Sequence, residues 1–188
     1  MHEYDVSREE LSSFPVLSHQ NAVKAAHAQF RKAITSEDVA RSMPVSDPLR
    51  LLDCAPVGDG AAAVLLTSED MVGDLRNGLA EVLSSAVATD RFSLYERDDM
   101  LDFMATRIAT QKALSAAHIT LRDLDFIEIH DSFSVSAALS VEAMKFSRRG
   151  EGAKDAKRGK YSFEGETPTN TFGGLKGRGN PVGAAGVY

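Results

Sequence analysis

The chain has 188 residues, 43% of them hydrophobic and 26% charged, a length and balance that suit a folded unit with a real core and exclude fibrous or disordered classes. Twenty-seven acidic against twenty-one basic residues give a net charge of −6, the wrong sign for a dedicated nucleic-acid surface. The lone cysteine, Cys54, excludes an intramolecular disulfide and a CxxC metal site, and the longest apolar run, Ala61 to Leu66, is too short to cross a bilayer.

The opening stretch MHEYDVSREE is acidic where a signal peptide is basic and then apolar, which implies a cytoplasmic protein. Within it Ser7 and Glu10 have capping-box spacing, so a helix is expected from about Arg8. Ser18 reads as a second cap. After it Ala22, Val23, Ala25, Ala26 and Phe30 predict a small-residue helix with His19, Lys24 and His27 on its polar side. A short helix follows Thr35 in SEDVARSM and stops before Pro44. Two β-like runs, Leu49 to Cys54 and Ala61 to Thr67, flank a Pro-Val-Gly-Asp-Gly turn, and the all-apolar AAAVLL calls for cover on both faces. GLAEVLSSAVAT is a third strand candidate.

DDMLDFMATRIATQKALSAA, 98 to 117, carries apolar residues at helical spacing through Leu101, Met104, Ile108 and Leu114. Thr120 and Asp123 cap a turn, and DFIEI at 125 to 129 reads as a short buried strand. Phe133, Ala137, Val141 and Met144 then form the stripe of an amphipathic helix. His130 therefore sits where a strand hands over to a helix, and this alternation implies α/β layering with a site at the strand's carboxyl end. The basic stretch RRGEGAKDAKRGKY, 148 to 161, reads as a solvated loop.

The ending GGLKGRGNPVGAAGVY contains neither a Walker loop nor GxGxxG. What it offers is a tight bend at Gly173 and Gly174, then Asn180 held extended by Pro181 near a helix opening through Gly183 and Gly186, where N–H groups could receive an anion or oxyanion. The alternative is that the glycines allow a close backbone crossing. No histidine pair has metal-ligand spacing beside a carboxylate cluster.

PLRLLDCAPVGDGAAAVLL, DMLDFMATRIATQKAL, IEIHDSFS and PTNTFGGLKGRGNPVGAAGVY together resemble the thiolase superfamily, nearest its archaeal and sterol-carrier-protein types, along nearly the whole chain. The resemblance implies a layered α-β-α fold, represented here by the end of its first half and an incomplete second half. Residues 1–45 would correspond to the loop domain, 46–67 to the final strands of the first half and 68–188 to the second half without its last strands. It also implies acyl transfer to or from coenzyme A, with carbon–carbon bond formation or cleavage in a thioester and no covalently bound cofactor. His130 in HDSF matches the residue that holds an oxyanion-hole water. Asn170, Gly173 and Gly174 match Asn-x-x-Gly-Gly, and Asn180, Gly183 and Gly186 fall within the GHPxGATG pattern.

Two departures matter. Asn180 stands in place of the catalytic histidine, and an amide can donate to an oxyanion but cannot take a proton from a thiol. Both family cysteines lie outside the chain, and Cys54 in LLDCAP reads as an unactivated strand residue. The readings open at this point are a thiolase-like acyltransferase that is incomplete alone, a non-catalytic structural subunit or fragment, and a thiolase-fold retro-aldolase of CoA esters with Tyr188 as acid–base group. Missing closing strands would leave edges that recruit a partner chain. By resemblance the partners are acyl-CoA, a second copy or a larger assembly with an OB-fold, zinc-ribbon protein or hydroxymethylglutaryl-CoA synthase, without membrane or nucleic acid. Lys24, His27, Arg31 and Lys32 have the chemistry to meet CoA phosphates.

Overall fold

In the computed structural model, residues 1–72 and 80–187 are described. The first helix, α1 (Arg8–Ala22), opens on the expected capping box: Ser7 Oγ accepts the Glu10 N–H, and Glu10 Oε2 accepts the Ser7 N–H at 2.7 Å. Leu11, Phe14 and Leu17 form its buried stripe. Ser18 does not start a second helix; it lies inside α1, facing the interior. The run beyond it leaves helical geometry at Ala22, because the N–H groups of Gln29 and Phe30 go to the carbonyls of Arg178 and Gly177, both at 3.0 Å. His19 is likewise not on a polar face: it is only 4% exposed.

Thr35 and Asp38 cap α2 (Ser36–Arg41) reciprocally. The expected strand from Leu49 to Cys54 is broken. Strand β1 (Pro44–Ser46) pairs antiparallel with β2 (Leu49–Arg50), after which Asp53 accepts the Arg50 N–H at 2.9 Å and closes a 3-10 turn over Leu51–Asp53. Ala61 to Thr67 joins no ladder among the described residues, and Leu65 is 93% exposed. The cover that AAAVLL requires is supplied by none of the described residues, so the apolar strand expected there does not form. No strand forms over 80–89 either, while residues 78–79 of that candidate lie outside the described ones.

The third helix, α3 (Met104–Ala117), starts later than expected, after Asp102 has engaged Arg107 in an ion pair at 2.9 Å. It ends at His118, whose left-handed conformation (φ 55°) turns its N–H back to the helix carbonyls. Thr120 and Asp123 cap the next turn as predicted. Of DFIEI, only Ile127 is buried and bridged: it receives and gives backbone bonds to Pro168 and Asn170, each at 2.9 Å. Helix α4 (Ser134–Ala143) buries Ala137 and Val141 as its stripe predicts.

The basic stretch is not a solvated loop. It contains α5 (Gly152–Lys157), with Gly152 and Ala153 buried. Tyr161 at its end is fully buried, stacks on Phe14 at 5.9 Å and bonds Ser147 Oγ at 2.6 Å. The charges lie outward, where Glu151 and Asp155 meet Lys154 and Arg158. Composition misled here because small residues and one aromatic were enough to dock a short helix.

The core joins α1, α4, α5, Ile127, Phe146 and Tyr161. A second, smaller cluster of Ala22, Ala25 and Ala28 lies where the glycine-rich ending crosses α1. At Gly173 a Cβ would stand 2.6 Å from that of Ala22, so the crossing requires a residue without a side chain. Truncating the core at Phe14→Ala should cost about 3–5 kcal/mol in urea unfolding. By contrast Leu65→Ser should change stability by no more than about 0.5 kcal/mol; a large loss at Leu65 would place that run in the core.

Candidate functional site

The candidate site is organised by an extended stretch, 54–58. Cys54 forms an antiparallel bridge with Phe133, and the Ala55 N–H donates to Ser132 O at 2.8 Å. On the other edge Asn180 donates its N–H to Pro56 O at 3.1 Å and accepts the Gly58 N–H at 3.2 Å. In an extended chain alternate residues present N–H and C=O to the same edge, so the His130 junction and the Asn180 segment flank one stretch from opposite sides. Two strand spacings put those flanking backbones roughly 10 Å apart.

His130 occupies the apex of a tight turn in which the Asp131 N–H bonds Ile129 O at 3.1 Å, and its imidazole is exposed. Asp131, next to it, is 4% exposed. Its Oδ1 accepts the Leu175 N–H at 2.6 Å and its Oδ2 accepts the Ser18 hydroxyl at 2.9 Å. Burial pushes the Asp131 carboxyl's pKa up, and these donors restrain the rise. One carboxylate thus joins α1, the strand-to-helix junction and the glycine turn.

Asn170 is also buried, with φ 52°. Its Oδ1 accepts the Ile129 N–H at 2.8 Å, while its carbonyl accepts from Asn21 Nδ2 at 3.0 Å and from Gly173 N–H at 2.8 Å. Gly174, at φ 55°, sits directly over this group: a Cβ there would lie 2.4 Å from Asn170 Nδ2 and 2.6 Å from both Asp131 carboxylate oxygens. The following turn, Gly174–Arg178, is a short π-helix.

Asn180 is half-buried, and its Oδ1 accepts the Val182 N–H at 3.2 Å. A backbone N–H can only donate, so this bond identifies Oδ1 as the acceptor and Nδ2 as the donor end of the amide. The segment after it is a 3-10 turn, Val182–Gly186, rather than an α-helix. Gly183 and Gly186 lie in open space with nothing within 4 Å of a built Cβ. Tyr188 lies outside the described residues. Cys54 is half-buried, and burial followed by the charge of Asp53 raises its thiol pKa, the opposite of nucleophile activation.

Lys176 was not singled out in the sequence. It is 5% exposed, donates from Nζ to Cys54 O at 2.8 Å and lies 5.9 Å from the centre of the Phe30 ring. His19 stacks on the same ring at 5.8 Å and donates from Nδ1 to Lys32 O at 2.8 Å. Burial lowers the pKa of both bases. Asp131 had a faint sequence signal, an acid wedged between an apolar strand and an amphipathic helix; Lys176 had none. Nearby, Lys24 caps the exposed Phe163 ring at 5.1 Å, and His27 lies against Phe172 at 5.6 Å. A cavity of about 590 Å³ between α1, α2 and the Asp53 turn is lined by none of the predicted site residues.

Two family models match the chain: thiolase, N-terminal domain over residues 1–70, and thiolase C-terminal domain-like over residues 86–188. The chain belongs to the thiolase family. It is 41% identical over 187 residues to the acetyl-CoA acetyltransferase of Methanothermobacter thermautotrophicus, covering 100% of this chain and 49% of that protein. Human sterol carrier protein 2 is 32% identical over 192 residues, which is 100% of this chain and 35% of the relative. Among solved structures, an Ltp2-ChsH2(DUF35) aldolase superposes with a TM-score of 0.88 at 24% identity, over 100% of this chain and 50% of its own. The acetyl-CoA acetyltransferase of Bacillus anthracis gives 0.69 at 20% identity. These likenesses establish the α/β thiolase fold, and the chain spans about half the length, or less, of the relatives it matches. Among the described residues no helix is long and apolar enough to cross a membrane.

The packing at the glycine turn gives a contrast. Gly174→Ala should cost about 1–3 kcal/mol of stability through its clash and its backbone conformation, whereas Gly183→Ala should lie within about 0.5 kcal/mol of the wild type. Thermal unfolding of the two variants checks this, and equal effects would remove the close approach of Gly174 to Asp131 and Asn170 from the account.

Proposed function

We propose that the chain carries the oxygen-binding face of a thiolase-like enzyme acting on acyl-CoA, with Asn180 and His130 as the groups that meet the thioester oxygen. The observation that carries this is the fixed amide of Asn180, whose oxygen accepts the Val182 N–H at 3.2 Å, so that its Nδ2 is the end able to donate. Donors held in place before reaction stabilise the charge that develops on a carbonyl oxygen better than mobile water does. His130, exposed and two residues before the Ser132 carbonyl that pairs with Ala55, is assigned as the second group for that oxygen, through a water.

The reaction class is carbon–carbon bond formation or cleavage next to the thioester. In the cleavage direction a nucleophile bonds to the 3-carbonyl carbon and keeps that acyl group, the C–C electron pair moves onto the thioester as an enolate whose oxygen takes the donors of Asn180, and a proton then returns to the enolate carbon. The amide cannot serve as the base that activates a thiol, so a nucleophile and a base come from outside residues 1–187. Lys24 and His27, beside the exposed rings of Phe163 and Phe172, are suited to the phosphates and adenine of CoA. The uncovered apolar run around Leu65 fits a protein that works in a larger assembly, as a dimer or with an OB-fold, zinc-ribbon partner or a hydroxymethylglutaryl-CoA synthase.

Asn180 favours a second reading as well: retro-aldol cleavage of a CoA-linked side chain. That chemistry needs an oxyanion site and an acid–base group, for which Tyr188 is the candidate, but no cysteine–histidine pair. Both readings are tested in the native assembly with acetoacetyl-CoA thiolysis and with a CoA-linked aldol substrate. Asn180→Ala should lower kcat by about 10²- to 10³-fold on whichever substrate is turned over, with KM little changed. An unchanged kcat would remove Asn180 from the site.

A further inference from the structure

A buried ammonium is costly unless its surroundings use its charge. Among the described residues the hydrogen-bond acceptor of Lys176 Nζ is the Cys54 carbonyl, at 2.8 Å. That carbonyl opens the stretch that the Asn180 segment and the His130 junction flank from opposite edges. Alternate residues of an extended chain share an edge, so Cys54 O faces the same side as Pro56 O and the Gly58 N–H, the two groups that Asn180 engages. Lys176 and Asn180 therefore hold neighbouring rungs of one edge, while Ser132 holds the opposite edge through Ala55. The ammonium also lies over the Phe30 ring, 5.9 Å from its centre, and His19 stacks on that ring at 5.8 Å. Phe30 is itself anchored by its N–H to Gly177 O, the residue after Lys176.

We propose that Lys176 is a positioning residue: its ammonium holds the Cys54 carbonyl and thereby sets where the stretch 54–58 presents Asn180 relative to His130. The assignment of Asn180 and His130 to a thioester oxygen rests on the reading above, but the tether itself does not. The titratable groups around the ammonium are His19 on α1, Asp53 and Cys54 at the turn before the stretch, and Asp131 behind the glycine turn. Burial dominates their effect, so the clamp loses its charge below the pH at which an exposed lysine would.

Amide hydrogen exchange on the full chain tests the tether without reference to catalysis. In Lys176→Met the amides of Asn180 and Gly58 should exchange about tenfold faster or more, the loss expected for one charge-assisted bond. The amides of Ile127 and Asn170, which hold a separate bridge, should keep their wild-type rates. Acceleration of all four amides would indicate general loosening, and no acceleration at Asn180 and Gly58 would mean no tether; either overturns the proposal. In the wild type, the ratio of the Asn180 rate to the Ile127 rate should rise as pH climbs through deprotonation of Lys176. In Lys176→Arg, whose charge persists, it should stay flat. A ratio that is flat in the wild type, or that rises equally in the arginine variant, contradicts the role. In the native assembly Lys176→Met should lower kcat more than it changes KM. If the wild-type assembly turns over neither CoA substrate, the site reading fails while the exchange data still decide the clamp.

Discussion

The arrangement depends on a carboxylate taken out of water. Asp131 accepts one hydrogen bond from the glycine turn and one from the middle of α1, and it belongs to the junction that carries His130. Each bond joins segments far apart in sequence, Ser18 to Asp131 and Asp131 to Leu175. A buried carboxyl group that loses one donor keeps its desolvation cost with fewer bonds to offset it, so the placement of each segment favours that of the other two. Gly174 follows from this constraint, since any Cβ there would occupy the space of the carboxylate and of Asn170. Asn170 extends the knot by satisfying Ile129, and Asn21 extends it back to α1.

Of the two readings that the sequence left open for the glycine-rich ending, close backbone approach is the one that Gly173 and Gly174 serve. Gly173 permits the loop to cross α1 against Ala22, and Gly174 permits it to approach Asp131. The later ones, Gly183 and Gly186, meet nothing and lie in a 3-10 turn. What the crossing accomplishes is to bring Asn180 onto the free edge of 54–58, with its side-chain oxygen already engaged by Val182.

Features encoded within a few residues were legible in the sequence: the capping box at Ser7, the short helix after Thr35, the turn capped by Thr120 and Asp123, the stripe of α4, and most of α3. The family was legible too, because several separated motifs agree in order. What failed depended on distant partners. Ser18 looks like a cap until Asp131 arrives beside it, His19 looks like part of a polar helix face until Phe30 stacks on it, and Tyr161 looks like loop until Phe14 stacks on it. Ala61 to Leu66 illustrates the opposite error: its composition demands cover that the described residues do not supply, in a chain that spans about half of the archaeal relatives' length.

The knot around Asp131 is tested most directly by comparing stability against pH for the wild type and Asp131→Asn. The folded-state pKa of Asp131 is raised above its ordinary 3.8, so its favourable contribution is complete below that value and is lost as pH rises through the folded pKa. The asparagine variant lacks this component. The difference between the two unfolding free energies should therefore shift in the variant's favour as pH climbs from the ordinary value through the raised one. Parallel curves across that window, or a wild type that gains on the variant, would show that this carboxyl is not buried among the three segments.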